Sequence, residues 1–110
     1  MGTIKSSAQI DEIFHKGIHF NSRNLSLITY NGDISQRDPL GRVAFIAGKR
    51  IGNAVTRNRS KRVLRAAAHE VGLPHAGCDV VLIANRRTGT VSHDDVVGSL
   101  AYLLKKAGLA

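Results

Sequence analysis

Apolar and polar positions change their period several times along the chain. Ile10, Ile13 and Phe14 fall at i, i+3 and i+4, the apolar stripe of a short amphipathic helix. Ser7 suits its cap and Gly17 its end. "IHFNSR" (18–23) reads as a short leading strand, "LSLITYN" (25–31) as a second and "RVAFIA" (42–47) as a third. Between the last two, "NGDISQRDPLG" supplies Gly, Asp and Pro for turns. Residues 53–71 return to a helical period, with Asn53 as N-cap, alanines in the middle, and Gly72 and Pro74 beyond the end. "DVVLIA" (79–84) is nearly all apolar, as expected of a strand buried on both faces. The last segment opens with a capping box of Ser92 and Asp95. Its core face is Val96, Val97, Leu100, Leu103, Leu104 and Ala107, and Gly108 ends it. Lys105 and Lys106 lie in its last turn, where cations favour the helix dipole. The order helix, two or three strands, helix, strand, helix predicts an α+β fold, a two-layer sandwich around a small mixed sheet. Without repeats, low-complexity runs or a linker, residues 1–110 are expected to form one domain.

Composition narrows the class. Apolar residues make up 43% of the chain but aromatics only 5%, and Trp is absent, so the core must be aliphatic. Cys78 is the single cysteine, which excludes an internal disulfide and any CxxC site. No apolar run approaches the roughly 18 residues of a membrane span, and the first residues lack the basic-then-apolar order of a signal peptide. A cytoplasmic protein with no membrane partner is expected. In that compartment the Asn-x-Ser matches at Asn24 and Asn58 carry no glycosylation meaning.

The net charge is +8, and its placement matters more than its size. Residues 42–65 hold Arg42, Lys49, Arg50, Arg57, Arg59, Lys61, Arg62 and Arg65 and no acid, while cations and acids balance over the rest of the chain. An excess confined to so short a stretch is the footprint of a site for a polyanion. Wound at ~100° per residue, Arg57, Lys61, Arg65, Asn58 and Arg62 fall within an arc of about 140°, with Arg59 beside it. Ser60, Val63, Leu64, Ala67 and Val71 gather opposite. Arg57–Lys61 and Lys61–Arg65 are like-charged i, i+4 pairs, each costing roughly 0.2–0.5 kcal/mol. A merely solvated face would mix acids in to relieve this. Nucleic acid is the partner that offsets the repulsion. Arginine grips phosphate through a planar fork, and Asn58 adds a donor and an acceptor suited to ribose or a base edge. Strand patterns on both sides of this helix argue against a helix-turn-helix, which needs neighbouring helices.

"KRIGNAVTRNRSKRVLR" (49–65) resembles the signature of the bacterial ribonuclease P protein subunit family: Lys49, Arg50, Gly52, Ala54, Val55, Arg57, Asn58, Arg59, Lys61, Arg62 and Arg65 match its fixed positions. "IFHKGIHFNSRNLSL" and "DVVLIANR" are similar to further segments of the family, and the C-terminal amphipathic helix fits as well. The resemblance implies an αβββαβα, ribosomal-protein-like fold with a left-handed βαβ crossover carrying the basic helix. It implies a subunit that joins a large catalytic RNA and assists removal of the 5′ leader from precursor tRNA. It further implies that the RNA does the chemistry with Mg2+ and that the protein alone is expected to bind no cofactor. The implied RNA-binding residues are Lys49, Arg50, Asn53, Arg57, Asn58, Arg59, Lys61, Arg62 and Arg65. The leader would run along a cleft bearing Phe14 and Lys49. By spacing alone Phe14 belongs to a core stripe; the resemblance moves it to the cleft edge, where an aromatic stacks on bases. The chain departs from the family at Ile10, usually aromatic, at Gly48, usually Ser, and in a less basic N-terminus. A ribosomal or general RNA-binding module without a processing role is the alternative.

Other chemistry finds little support. His15 and His19 are separated by Gly17, and His75 and Cys78 form an isolated pair, so no metal site is expected. Asp11–Glu12 and Asp94–Asp95 open helices, where acids favour the dipole. "GKRIGN" lacks the spacing of a nucleotide-binding loop.

Overall fold

The computed structural model describes residues 7–31 and 41–109; residues 32–40, most of the expected turn-rich connection, lie outside that range. Helix α1 (Ser7–Lys16) is followed by strands β1 (Ile18–Asn21), β2 (Leu25–Tyr30) and β3 (Arg42–Ile46). A 3-10 turn (Lys49–Ile51) leads into α2 (Ala54–Glu70), then β4 (Asp79–Ala84) and α3 (His93–Lys106). Every element expected from the sequence is present, with ends displaced by one or two residues. Ser7, expected as the cap of α1, is itself helical.

The helix ends follow from local chemistry. The Oδ1 of Asn53 accepts the Thr56 amide at 3.0 Å, and Ser92 Oγ accepts the Asp95 amide at 3.1 Å; each satisfies a donor that the first helical turn leaves without a partner. At the other end of α2, Gly72 at φ 84° donates to His69 and Leu73 donates to Ala68. Gly108 at φ 77° and Leu109 close α3 in the same way, on Lys105 and Leu104. In both, the left-handed residue after the cap lets two orphan carbonyls find donors.

The sheet order is β1-β2-β4-β3. β1 and β2 are antiparallel, as are β2 and β4, while β3 and β4 run parallel, Arg42 opposite Asp79 and Ile46 opposite Ile83. β4 comes last in the chain but is central, and α2 is the crossover that joins it to β3. Alternation along the strands divides the core. Leu25, Leu27, Val43, Val80 and Leu82 pack with Leu64, Ala67 and Ala68 of α2 and with Val96, Leu100, Leu103 and Leu104 of α3. Ile28, Ala44 and Val81 point to the other face, where Ile13 of α1 meets them. Two helices therefore back one face of the sheet. One short helix covers part of the other, leaving Tyr30, Ile46 and Ile83 only partly buried.

Candidate nucleic-acid interface

The cations of residues 49–65 lie on two elements that meet at one end of the sheet, where β3 and β4 terminate. After Ile46 the chain passes Ala47 and Gly48 into the 3-10 turn, on which Lys49 and Arg50 are exposed. Beside that turn is an open hollow of about 610 Å3. It is lined by Ile46, Gly48, Ile51, Ile83, Ala84 and Asn85, with Lys49, Arg50 and Arg86 among its walls. Its floor is the partly covered sheet face on which Phe14 also packs. Phe14 is half-buried; its ring lies 6.1 Å from that of His19, tilted by 60°, and its carbonyl lies 2.9 Å from His19 Nε2. Phe14 thus shares the sheet face with the hollow but is not part of its lining. The departure at Gly48 leaves open space where a side chain would stand.

On α2 the cations do not form one uniform face. Asn58, Arg59, Arg62 and Arg65 are exposed, whereas Arg57 and Lys61 are half-buried. Arg57 Nε donates to the carbonyl of Ala47 at 3.0 Å, which ties the first turn of α2 to the end of β3. The Arg65 guanidinium lies 5.5 Å from the centre of the Phe45 ring, a cation–π contact that holds it over β3. Arg59 is on the far side of the helix, where its side chain nears Gly89 of the loop after β4. Asn53 caps α2 through its side-chain oxygen. The arc drawn from the sequence is therefore divided: one ridge, Arg57, Lys61 and Arg65, follows the sheet, and another, Arg59 and Arg62, follows the loop before α3.

Arg86 and Arg87 extend the surface and were not among the residues expected from the sequence. Arg86 Nε donates to the carbonyl of Arg50 at 3.3 Å, so the loop after β4 joins the 3-10 turn. Arg87 Nε donates to Asn24 Oδ1 at 3.2 Å. Asn24 is buried, and its Nδ2 donates to Ser99 Oγ at 2.9 Å. Thr88 Oγ1 donates to the Asn24 carbonyl at 2.6 Å, and Asn85 Nδ2 donates to the Arg23 carbonyl at 2.9 Å. Asn24 thereby fixes the cation-bearing loop to the β1–β2 turn and to α3. The available signal was that residues 80–93 contain two arginines and no acid.

Among the described residues no three of His, Cys, Asp and Glu come together as a group able to hold an ion. His93 Nε2 lies 3.2 Å from Glu70 Oε2, and Cys78 is buried. Among the described residues no helix is long and apolar enough to cross a membrane.

Residues 2–108 match the Ribonuclease P family. A ribonuclease P protein component from Shouchella clausii is 37% identical over 105 residues, covering 94% of this chain and 84% of the relative. One from Oceanobacillus iheyensis is 37% identical over 107 residues, covering 96% and 86%. The RNase P protein of Staphylococcus aureus superposes with a TM-score of 0.82 at 26% identity, covering 99% of this chain and 97% of that one. That of Thermotoga maritima has the same fold, with a TM-score of 0.77 at 20% identity over 96% and 97% of the two chains. An acid-free basic stretch, the cations it gathers at one end of a mixed sheet, and a match spanning nearly every residue lead to one assignment: the chain belongs to the ribonuclease P protein family.

Proposed function

We propose that this chain acts as the protein subunit of a ribonuclease P holoenzyme in the cytoplasm, binding the catalytic RNA and the 5′ leader of precursor tRNA. The observation that carries this reading is the gathering of positive charge at an apolar hollow and along the helix that follows it. Lys49, Arg50 and Arg86 line the hollow, and α2, which follows the 3-10 turn, exposes Arg59, Arg62 and Arg65 together with the uncharged Asn58. A single strand is held by cations that track its backbone and by apolar or aromatic surface that receives its bases. Ile46, Ile83 and Phe14 supply the second element on the same sheet face, so the leader is assigned to that face, past Phe14 and Lys49. The outer side of α2 is assigned to the catalytic RNA. Asn53 serves this surface by capping the helix that carries it.

No carboxylate or imidazole cluster in the described chain suits a metal, and the reaction's magnesium ions are assigned to the RNA. The protein's contribution is to hold the leader and to offset phosphate repulsion where RNA and substrate meet. Such help matters most when magnesium is scarce. The test is leader cleavage by a bacterial ribonuclease P RNA at low magnesium, with and without this protein. Enhancement of leader removal is expected, with no cleavage by the protein alone. RNA binding without enhancement would instead mark a general RNA-binding module.

A further inference from the structure

A second recess lies on the opposite side of α2 from the sheet-side ridge. It has a volume of about 330 Å3 and is lined by Arg59, Arg62, Val63, Ala66, Val91 and His93. The α2 residues occur at i, i+3, i+4 and i+7, one continuous stripe of the helix. Val91 and His93 come from the start of α3 and the residue pair before it, so the recess is a slot between two elements. The volume is at the low end of the roughly 300–1,000 Å3 of small-molecule sites. Val63 and Val91 pack against the main core from its edge, which gives the slot a fixed apolar floor.

Polarity runs along the slot. Arg59 and Arg62 lie toward the N-terminal half of α2. His93 lies by its last turn, where Nε2 is 3.2 Å from Glu70 Oε2. Phosphate is therefore favoured at the arginine end and disfavoured beside Glu70. The middle, made of valine and alanine methyl groups, takes a flat apolar face, and the imidazole bounds it. We infer that this slot binds one unpaired nucleotide of the partner RNA. Its phosphate lies on Arg59 and Arg62, and its base lies over Val63, Ala66 and Val91 toward His93. This inference rests on the proposed RNA partnership and adds to it a site for a base rather than for backbone alone. A duplex cannot use such a slot, because its bases are stacked inside the helix, whereas a bulged or looped-out base can.

The experiment compares Ala66→Leu, which fills the slot from an exposed helical position and leaves both arginines in place, with Ala101→Leu, the same change on the exposed side of α3. Thermal melting of both variants verifies folding. The affinity of each for a bacterial ribonuclease P RNA is measured across a salt series, and base reactivity of the RNA is probed with dimethyl sulfate for A and C and with a carbodiimide for G and U. Ala66→Leu is expected to bind roughly five- to tenfold more weakly than the wild-type chain, about 1–1.4 kcal/mol for one lost base contact. Its salt dependence stays unchanged because the phosphate contacts remain. One unpaired nucleotide protected by the wild-type protein becomes reactive with Ala66→Leu and stays protected with Ala101→Leu. Equal affinity for the two variants, or an unchanged protection pattern, overturns the slot while leaving the RNA partnership standing. Failure of the wild-type chain to bind the RNA at all overturns that partnership and the slot with it.

Discussion

Arg57 and Ala47 are joined by a hydrogen bond of 3.0 Å from the guanidinium Nε to the main-chain carbonyl. The bond links the first turn of the basic helix to the residue that follows β3, and so holds Lys49 and Arg50 between two fixed points. Arg57 is the cation of the motif most involved in the protein's own structure, and Arg62 among those most open to a partner.

That difference is measurable. Arg57→Ala is expected to reduce stability by about 1.5–3 kcal/mol, the range for a hydrogen bond to a charged group, with a clear fall in melting temperature. Arg62→Ala should stay within about 0.5 kcal/mol of wild type. It should instead lower the slope of log affinity against log salt by roughly 0.7–0.9, as one lost phosphate contact does; Arg59→Ala should behave alike. Identical melting curves for Arg57→Ala and Arg62→Ala would contradict the structural role given to Arg57.

Asn24 should behave as the hinge pin of the loop that carries Arg86 and Arg87. Its side chain meets Ser99 and Arg87, and its carbonyl accepts from Thr88. Asn24→Ala removes the side-chain bonds to the partly buried Ser99 and to Arg87 while keeping the main-chain acceptor of Thr88, and should cost about 0.5–1.5 kcal/mol per lost bond. Amide hydrogen exchange is the sensitive measurement: the amides of Asn85 and Thr88, bonded within the loop, should exchange faster, while those in α2 away from the loop keep their protection relative to the global stability.

At the opposite end of β3 and β4 from the 3-10 turn, Arg42 and Asp79 form a two-pronged ion pair, Nε to Oδ1 at 3.1 Å and Nη2 to Oδ2 at 2.7 Å. Asp79 is 3% exposed. Arg42→Ala leaves that carboxylate in the sheet without its guanidinium and should cost about 3–5 kcal/mol in urea unfolding. Replacing both residues by apolar ones of similar size should cost much less, because no lone charge then remains. A double variant as unstable as the single one would show that the pair adds more than mutual compensation.

Gly17 sets how closely α1 approaches the sheet. A Cβ there would stand 2.6 Å from the Ile13 carbonyl oxygen, 2.6 Å from Ile28 Cγ2 and 2.8 Å from the Thr29 carbonyl oxygen. Two of these are main-chain atoms, which cannot step aside as a side chain could. Gly17→Ala should destabilise by about 1–3 kcal/mol through overpacking and displace α1 with Phe14. The functional measurement is leader affinity, expected to fall while affinity for the catalytic RNA alone is retained.

The elements were legible because each has a strong local cause. Asn53 and Ser92 are good caps, Gly72 and Gly108 accept the left-handed backbone that ends a helix, and the apolar run 79–84 suits only a buried strand. Strand order was not legible. That β4 enters between β2 and β3 depends on pairings such as Leu27 with Leu82 and Val43 with Val80, which join segments far apart in the chain and leave no mark within either. In the sequence Asn24 stands out only as an Asn-x-Ser match, since its partners Arg87 and Ser99 are brought to it only by the sheet and α3.

The sequence by itself determined that the protein concentrates positive charge in residues 42–65, that α2 has an apolar side and a basic one, and that the motif from Lys49 to Arg65 belongs to this family. Charge, helical period and motif are properties of neighbours along the chain, so they survive without coordinates. Only the tertiary structure decided how that charge divides. Arg57 turns to the carbonyl just after β3, Arg65 lies over Phe45, Arg59 and Arg62 flank a slot closed by Val91 and His93, and Arg86 arrives from the loop after β4 to join Arg50. A helical projection assigns each side chain an angle but not a neighbour. Neighbours are set by packing of the sheet against α2 and α3, where an apolar core brings distant segments together and burial makes each hydrogen bond between them specific.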